Sequence, residues 1–445
     1  MPLRQKYPHA RPATSNGMSE RLLVKGLGGK RKLGGEIEVK GAKNAALKAM
    51  AAALLFKDTL TIKNTPEIED MARIADILSK MGASVEKSGN TYRVNCSSSK
   101  IKTELPKDIS KRLRASIVLT GPILSRFGKV SFSHPGGCVI GKRPIDIFID
   151  GFKAMGAKVS SKDGKYYLFA PGGKLKGAEI FLKNQSVTAT ETFMISAVLA
   201  KGETIIRNAA MEPEIESLGN FLVSCGAKIK GHGSSVIKIK GGGMLYSNGK
   251  AYVTMPDRID AGSFLILGAL VGKNFVIKNC DPSHLTSLIE HLRHAGVEIK
   301  INKNSISVSA PSKKIKSFNL KTHEYPGFPT DLQAPMAVLL TQAEGDSLVF
   351  ETIFEGRLSY VNDLVRMGAD IKMMDPHRIL IKGPVMLRGR SVESPDLRAG
   401  LAFIIAAIVA KGESIIHNVY NIDRGYEKIE ERLSKIGVDI KRLKN

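Results

Sequence analysis

The chain has no tryptophan, and aromatic residues make up only 6% of its 445 positions. Its cores therefore have to be built from aliphatic side chains. Cysteine is scarce as well: Cys96, Cys138, Cys225 and Cys280 stand without a CxxC pair or a Cys/His spacing suited to a metal. A chain this long needs no disulfide framework, and four unpatterned thiols fit a reducing cytoplasm. Long apolar runs are missing. The longest, Ala45–Phe56 and Leu401–Ala410, fall short of the roughly 20 residues of a membrane span. The opening MPLRQKYPHARPATSNG is basic and polar without an apolar segment, which excludes a secretory signal. Residues 1–20 read as a disordered basic extension, or as an upstream start before Met18. Acidic residues are too few to balance the basic ones, 42 against 67, leaving a net charge of +25. That charge suits either a nucleic acid or a small anionic substrate. The cations are spread along the whole chain with no dense basic block and no interleaved aromatics, which counts against nucleic acid.

What the sequence does have is a repeat. A helix end, a glycine and a short strand recur at Gly82, Gly156, Gly226, Gly296, Gly368 and Gly437, in steps of 74, 70, 70, 72 and 69 residues. The phrases run from MGASVEK to IGVDIKR. A second phrase keeps the same period: an alanine-rich apolar helix, a glycine turn, and a strand ending in Asn, as in SAVLAKGETIIRNA. Six units of about 70 residues are too long for a common solenoid repeat and large enough to be small α/β modules. In each, an apolar helix precedes a strand and an amphipathic helix. In IEDMARIADILSKMGA, for example, Ile68, Met71, Ile74, Ala75, Ile77 and Leu78 form one stripe, and glycine at the C′ position ends the helix. Six such units do not fit around one core, so three plus three is the natural grouping.

The apolar helices begin at Lys43, Arg114, Ser186, Arg258, Asp331 and Arg398, spaced 71, 72, 72, 73 and 67 residues apart. A helix N-terminus offers free N–H groups and the positive end of the dipole, so it attracts anions. Cations at such starts work against the helix itself. As a set, they point to anion binding at equivalent ends of equivalent modules.

One loop breaks the repeat. After the strand KVSFS comes HPGGCVIGKRPIDIFIDGF. Gly136, Gly137 and Gly141 make this segment flexible enough to close over a ligand. Cys138 lies beside that backbone and near Lys142 and Arg143, and cations acidify a thiol. The alternative is a structural loop cysteine. Asp331, in FPTDLQA, is a carboxylate at a helix start among cations. It is placed to accept a hydroxyl proton, or else serves as an N-cap. Arginines that grip a phosphate monoester, an acidic thiol and a carboxylate base together suit a reaction of a phosphate ester.

The phrases GAKNAAL, RASIVLTGP, PGGCVIGKRPID, SVTATE, EPEIE, FPTDLQA, FEGRLSYVNDLVRMGA, DLRAG and IDRGYEKIEERL together resemble the UDP-N-acetylglucosamine 1-carboxyvinyltransferase family of enolpyruvyl transferases. The resemblance runs from about Leu23 to Lys444 and touches all six modules. It implies two inside-out α/β barrels, each of three βαβαββ-type repeats, joined by a double crossover with the active site in the cleft. One barrel would comprise residues 21–42 and 256–445, the other residues 43–255 with the Cys138 loop. The crossovers would fall near Gly41–Lys43 and Met255–Asp257.

The implied activity is a cytoplasmic transferase step, the first committed one in peptidoglycan precursor synthesis. The enolpyruvyl group of phosphoenolpyruvate passes to the 3′-hydroxyl of UDP-N-acetylglucosamine with release of phosphate. The resemblance further implies Cys138 as proton donor and target of fosfomycin, and Asp331 as base beside the sugar hydroxyl. Lys43, Asn44, Arg114, Arg143, Arg357 and Arg398 would contact phosphoenolpyruvate. Asn44, Arg114, Arg143, Pro144, Ile145, Asp146, Ile147, Ser186, Val187, Thr188, Asp331 and Ile353 would contact the nucleotide sugar. No metal, organic cofactor or membrane is implied. The chain departs from the family in reading SVTAT, with Thr188, where glycine is usual, and in carrying the extra charge of Lys142.

Three other readings make different demands. The sibling enzyme acting on shikimate 3-phosphate shares the modules but lacks the PGGC loop. RNA 3′-phosphate cyclase, a remoter relative by module, would need a catalytic histidine near the C-terminus, where His417 lies in IIHNV. A non-catalytic basic repeat protein that binds nucleic acid would need neither Cys138 nor Asp331.

Overall fold

The computed structural model describes residues 20–30, 32–98, 100–136, 140–141 and 144–444. The expected extension over 1–20 lies outside them except for its last residue. Glu20 is the first residue described, and it pairs with Arg442 at 2.7 Å.

The repeat phrases fold alike because all six share one backbone requirement and four of them share a second. All six repeat glycines sit at φ between +84° and +103°, a region in which a β-carbon is strained, so each helix ends where its glycine stands. In four of the units the strand after the apolar helix ends in Asn, at Asn64, Asn208, Asn279 and Asn418, with φ of 55°, 55°, 54° and 56°. Asparagine tolerates this left-handed conformation better than most residues. Three of the four also use the side-chain amide, donating to the carbonyls of Thr254 at 2.8 Å, Leu182 at 2.7 Å and Val39 at 2.8 Å. Each of those carbonyls directly follows the strand that runs parallel to the Asn-ended one. The same residue thus stops one strand and ties its neighbour to it.

Among the described residues the units build six sheets on a related plan, four of them four-stranded, with Lys129–Ser133 in a three-stranded one. In Leu60–Lys63 with Thr91–Asn95 and Ser84–Ser88, the strand after the apolar helix pairs antiparallel with a hairpin, and Ala251–Val253 adds in parallel on its other side. The last unit is completed from the other end of the chain. Arg21–Lys25 takes the place of the returning hairpin strand, between Glu413–His417 and Asp439–Leu443. This joins the chain ends in one sheet.

The sheets bury one face only. In Glu203–Arg207 the side chains of Thr204 and Ile206 are buried while Glu203 and Arg207 are exposed. The apolar helices have no exposed face. Every residue of Gln333–Leu340 is buried, as is every residue of Arg258–Val271 after the first. Helices buried on all sides must lie inside, and they do: Arg258–Val271, Gln333–Leu340 and Leu397–Val409 pack on one another. Lys43–Ala52, Arg114–Phe127 and Val187–Ala197 form the second such set. Helices inside and sheets outside make two inside-out barrels.

The two sets have separate hydrophobic cores. One draws its residues from Leu22–Val39 and Ile259–Ile440, the other from Ala42–Tyr252. The chain passes between them at two points that touch. Gly41 faces Pro256 across an antiparallel bridge. The Ala42 N–H donates to the Met255 carbonyl at 2.7 Å, and the Asp257 N–H to the Lys40 carbonyl at 2.8 Å. Gly41 is required here, since a β-carbon would lie 1.8 Å from the Asn64 carbonyl oxygen.

Candidate active site

The starts of the inner helices bring charge to the zone between the two cores. Asp331 lies in the short 3₁₀ turn Thr330–Leu332 that leads into Gln333–Leu340. It does not cap that helix. Its carboxylate receives Nη2 of Arg357 at 2.8 Å on Oδ1 and Nη2 of Arg398 at 2.9 Å on Oδ2. Both arginines are buried, 3% and 4% exposed. Burial alone would raise the carboxyl, but Arg398 and Arg357, with Arg258 behind them, outweigh it and hold Asp331 far below the usual carboxylate range. Arg398 is fixed from behind. Its own helix is capped by Asp396, and its Nη1 donates to the Tyr426 hydroxyl at 3.0 Å. Arg357 Nε donates to Thr330 Oγ1 at 3.2 Å, and Thr330 Oγ1 in turn lies 3.0 Å from Glu351.

Lys43, first residue of its helix, is buried and points at Asp70, with Nζ 2.7 Å from Oδ2. Arg424, from the other core, meets the same carboxylate at 3.0 Å. Burial pushes the Lys43 ammonium down, Asp70 opposes this, and the positive charges of Arg424 and Arg398 add to it. Those charges therefore act on one another across the gap between the cores. Arg258 heads its helix as the spacing demands but is engaged by Glu214 at 3.2 Å. Lys43 and Arg398 are thus buried and Arg258 half-buried, and each of these three has a carboxylate partner.

The sequence profile of the EPSP synthase (3-phosphoshikimate 1-carboxyvinyltransferase) family matches residues 27–433. The chain belongs to this family. Among curated relatives, the UDP-N-acetylglucosamine 1-carboxyvinyltransferase of Koribacter versatilis is 44% identical over 412 residues, 92% of this chain and 94% of that protein. The enzyme of the same name from Halothermothrix orenii is 46% identical, covering 93% and 97%. Among solved structures, the enolpyruvyl transferase NikO from Streptomyces tendae superposes with a TM-score of 0.84 at 22% identity, covering 96% of this chain and all of that one. EPSP synthase from Acinetobacter baumannii gives 0.72 at 19% identity, with the same coverage. These two establish the fold: two inside-out barrels joined by a double crossover, as enolpyruvyl transferases have.

Within this family fold, the glycine-rich loop is anchored at its described ends. Arg114 donates from Nη1 to the Pro135 carbonyl at 3.3 Å and from Nη2 to the Pro144 carbonyl at 3.4 Å, so it holds both stems. Gly136 packs so closely on Lys111 that a β-carbon would lie 1.5 Å from the Lys111 carbonyl oxygen. The Ile140 carbonyl accepts from the Gly356 N–H at 2.9 Å, which brings the loop to the residue before Arg357. Cys138, Lys142 and Arg143 lie outside the described residues.

The remaining candidates fall at chain positions around this zone. Asn44 follows Lys43 and is half-buried. Pro144 and Asp146 are exposed, Ile145 is buried and Ile147 half-buried, at the start of the helix Asp146–Ala154. Ser186 caps the next inner helix, accepting the Ala189 N–H at 3.3 Å. Val187 and Thr188 are half-buried in its first turn, where Thr188 offers its carbonyl to the Thr192 hydroxyl at 2.6 Å. Ile353 is half-buried, its N–H donating to Glu351 at 2.9 Å. His417 is held by Ser391 at 2.9 Å in an outer sheet, which does not suit the cyclase reading.

Sequence reading missed Asp70, Arg424 and Tyr426 as members of the cluster. Asp70 looks like one of two ordinary acids in the first turn of an amphipathic helix. Arg424 and Tyr426 lie in the phrase IDRGYEKIEERL, where only their partners reveal them. Among the described residues, no group of acids, histidines and cysteines is arranged to hold a metal, and no helix is long and apolar enough to cross a membrane.

Proposed function

We propose that this family member transfers the enolpyruvyl group of phosphoenolpyruvate to the 3′-hydroxyl of UDP-N-acetylglucosamine and releases phosphate, in the cytoplasm. The full-length relatives bearing that name support the choice of acceptor. The free thiols Cys96, Cys225 and Cys280 support a reducing compartment. In this reading residues 21–42 with 256–445 form one domain and residues 43–255 the other, with the reaction between them, and the two separate hydrophobic cores support it. The observation that carries the proposal is Asp331, at the start of one inner helix, held between Arg398, at the start of another, and Arg357.

Phosphoenolpyruvate carries a carboxylate and a phosphate that bears about −1.5 to −2 charge. Lys43, Arg114, Arg143, Arg357 and Arg398 hold these groups. The thiol of Cys138 gives its proton to C3, C2 becomes electrophilic, and the sugar 3′-oxygen bonds to C2 while Asp331 takes its proton. The Cys138 thiolate then takes a proton from C3, phosphate departs and the double bond is restored. Asp331 starts as a poor base, since two arginines neutralise it. An arriving phosphate and carboxylate compete for those arginines, and as they turn to the substrate the proton affinity of Asp331 rises. The base is thus strengthened when the substrate that needs it is bound.

The acceptor decides between this and the sibling reading. With phosphoenolpyruvate supplied, UDP-N-acetylglucosamine is expected to be consumed and shikimate 3-phosphate left intact. Consumption of shikimate 3-phosphate alone would sink the proposal and keep the family.

A further inference from the structure

The inner helices that begin at Lys43, Arg114 and Ser186 all end at the far side of the second barrel, roughly 15–20 Å away at 1.5 Å per helical residue. There they leave a cavity of about 540 Å³, lined by Lys57, Arg126, Lys174, Phe127, Leu199 and Met244 among others. The volume is that of a small-molecule site, about 300–1,000 Å³. The lining holds three cations from three separate segments and no acidic residue. Among the described residues, none of the three forms an ion pair. Arg126 is braced rather than neutralised: Nη1 donates to the Leu54 carbonyl at 2.9 Å, and the guanidinium lies 4.9 Å from the Phe127 ring centre. Lys57 lies 5.1 Å over the Tyr246 ring.

Helix C-termini attract cations, and that is the first explanation to test by magnitude. Each terminus carries about half a negative charge, so three together offset about 1.5 of the three positive charges. Between one and two positive charges remain at the mouth of a cavity whose walls are otherwise largely apolar. We propose that this cavity is a second binding site, distinct from the active site, for a small organic anion with an apolar body and a phosphate or carboxylate head. The head meets Lys57, Arg126 and Lys174, and the body lies against Phe127, Leu199 and Met244.

The test uses 1-naphthyl phosphate as probe and the full chain, with UDP-N-acetylglucosamine at saturation to fill the cleft, followed by calorimetric titration. Two variants act on the cavity in different ways. The double variant Lys57→Glu/Lys174→Glu reverses charge at two exposed positions. Gly243→Phe fills the space, since a β-carbon at Gly243 meets nothing within 4 Å. Unchanged unfolding temperatures establish that both variants fold. Wild type is expected to bind one equivalent, and both variants to bind about tenfold more weakly, or about 1.4 kcal/mol. No binding to wild type, or equal binding in either variant, overturns the proposal. Equal binding in both points to the cleft, loss on charge reversal alone to surface attraction, and loss on filling alone to a site indifferent to charge.

Discussion

Arg424 and Asp70 belong to different cores and meet in one ion pair, with Nε 3.0 Å from Oδ1. Lys43 shares the carboxylate, and Asp70 is only 2% exposed. Removing one partner of a buried pair costs about 3–5 kcal/mol, because the charge left behind has none. Asp70→Asn is therefore expected to lower the unfolding free energy by about 3 kcal/mol in urea melts. The lower end applies because the Arg424 side chain is 21% exposed. Burial opposes ionisation of Asp70, but Lys43 and Arg424 prevail and hold it below its ordinary value. A depressed carboxyl contributes stability above its unfolded pKa of about 3.9, and that stability is lost as the pH falls through the folded value. Wild type should thus lose stability faster than Asp70→Asn on acidification below about pH 4. Parallel acid slopes would contradict this.

Glu191 presents the opposite sign. It is fully buried in the second barrel and held by Lys48 at 2.9 Å. Burial lifts its carboxyl to about 7; Lys48 pulls it down, and Glu214 and Glu212 push it further up. A raised carboxyl contributes stability that is fully present below the unfolded pKa, about 4.3, and lost as the pH rises through the folded one. The unfolding free energy is expected to fall by on the order of 3 kcal/mol between about pH 4.5 and 7 from this group, at 1.36 kcal/mol per unit. Glu191→Gln should flatten that window. An unchanged slope in chemical denaturation across it would refute the assignment.

The three described thiols are poorly placed to react as thiolates. Burial pushes Cys96 to about 12 and Cys280, with Asp281 adding to it, to about 11, and it raises Cys225 as well. Thiols this weakly acidic supply almost no thiolate at neutral pH. Fosfomycin should therefore label one peptide, that of Cys138, and Cys138→Ser should take up none. Label on Cys96 or Cys280 in a peptide map would show that accessibility to the electrophile has been misjudged.

Asp331→Asn keeps the shape of the side chain and removes the proposed base. Turnover is expected to fall by about 100- to 10,000-fold, with UDP-N-acetylglucosamine still bound. Because the arginines keep Asp331 ionised far into the acid range, the acid limb of kcat/KM in wild type should not come from this residue. If Asp331→Asn keeps normal turnover, another group is the base.

The repeat was the most legible part of the fold. Gly82 and its five counterparts announced helix ends, and the Asn that ends four of the strands announced a stop, because both residues answer local backbone demands. The spacing of Lys43, Arg114, Ser186, Arg258, Asp331 and Arg398 likewise gave the helix starts. What spacing leaves open is which charge meets which. Asp331 was legible as base or N-cap, and only the positions of Arg357 and Arg398 show that it is no cap. Arg258 looked equivalent to Arg398, yet Glu214 occupies it. Asp70 stayed hidden because its partner Arg424 lies 354 residues away, a separation that no local pattern reports.

The most direct measurement is inorganic phosphate release from wild type with phosphoenolpyruvate and UDP-N-acetylglucosamine, each omitted in turn, with the mass of the nucleotide sugar followed in parallel. Release is expected only when both are present, matched mole for mole by a nucleotide sugar heavier by one enolpyruvyl group. Phosphate release without the nucleotide sugar, or folded protein that releases none with both, would contradict it.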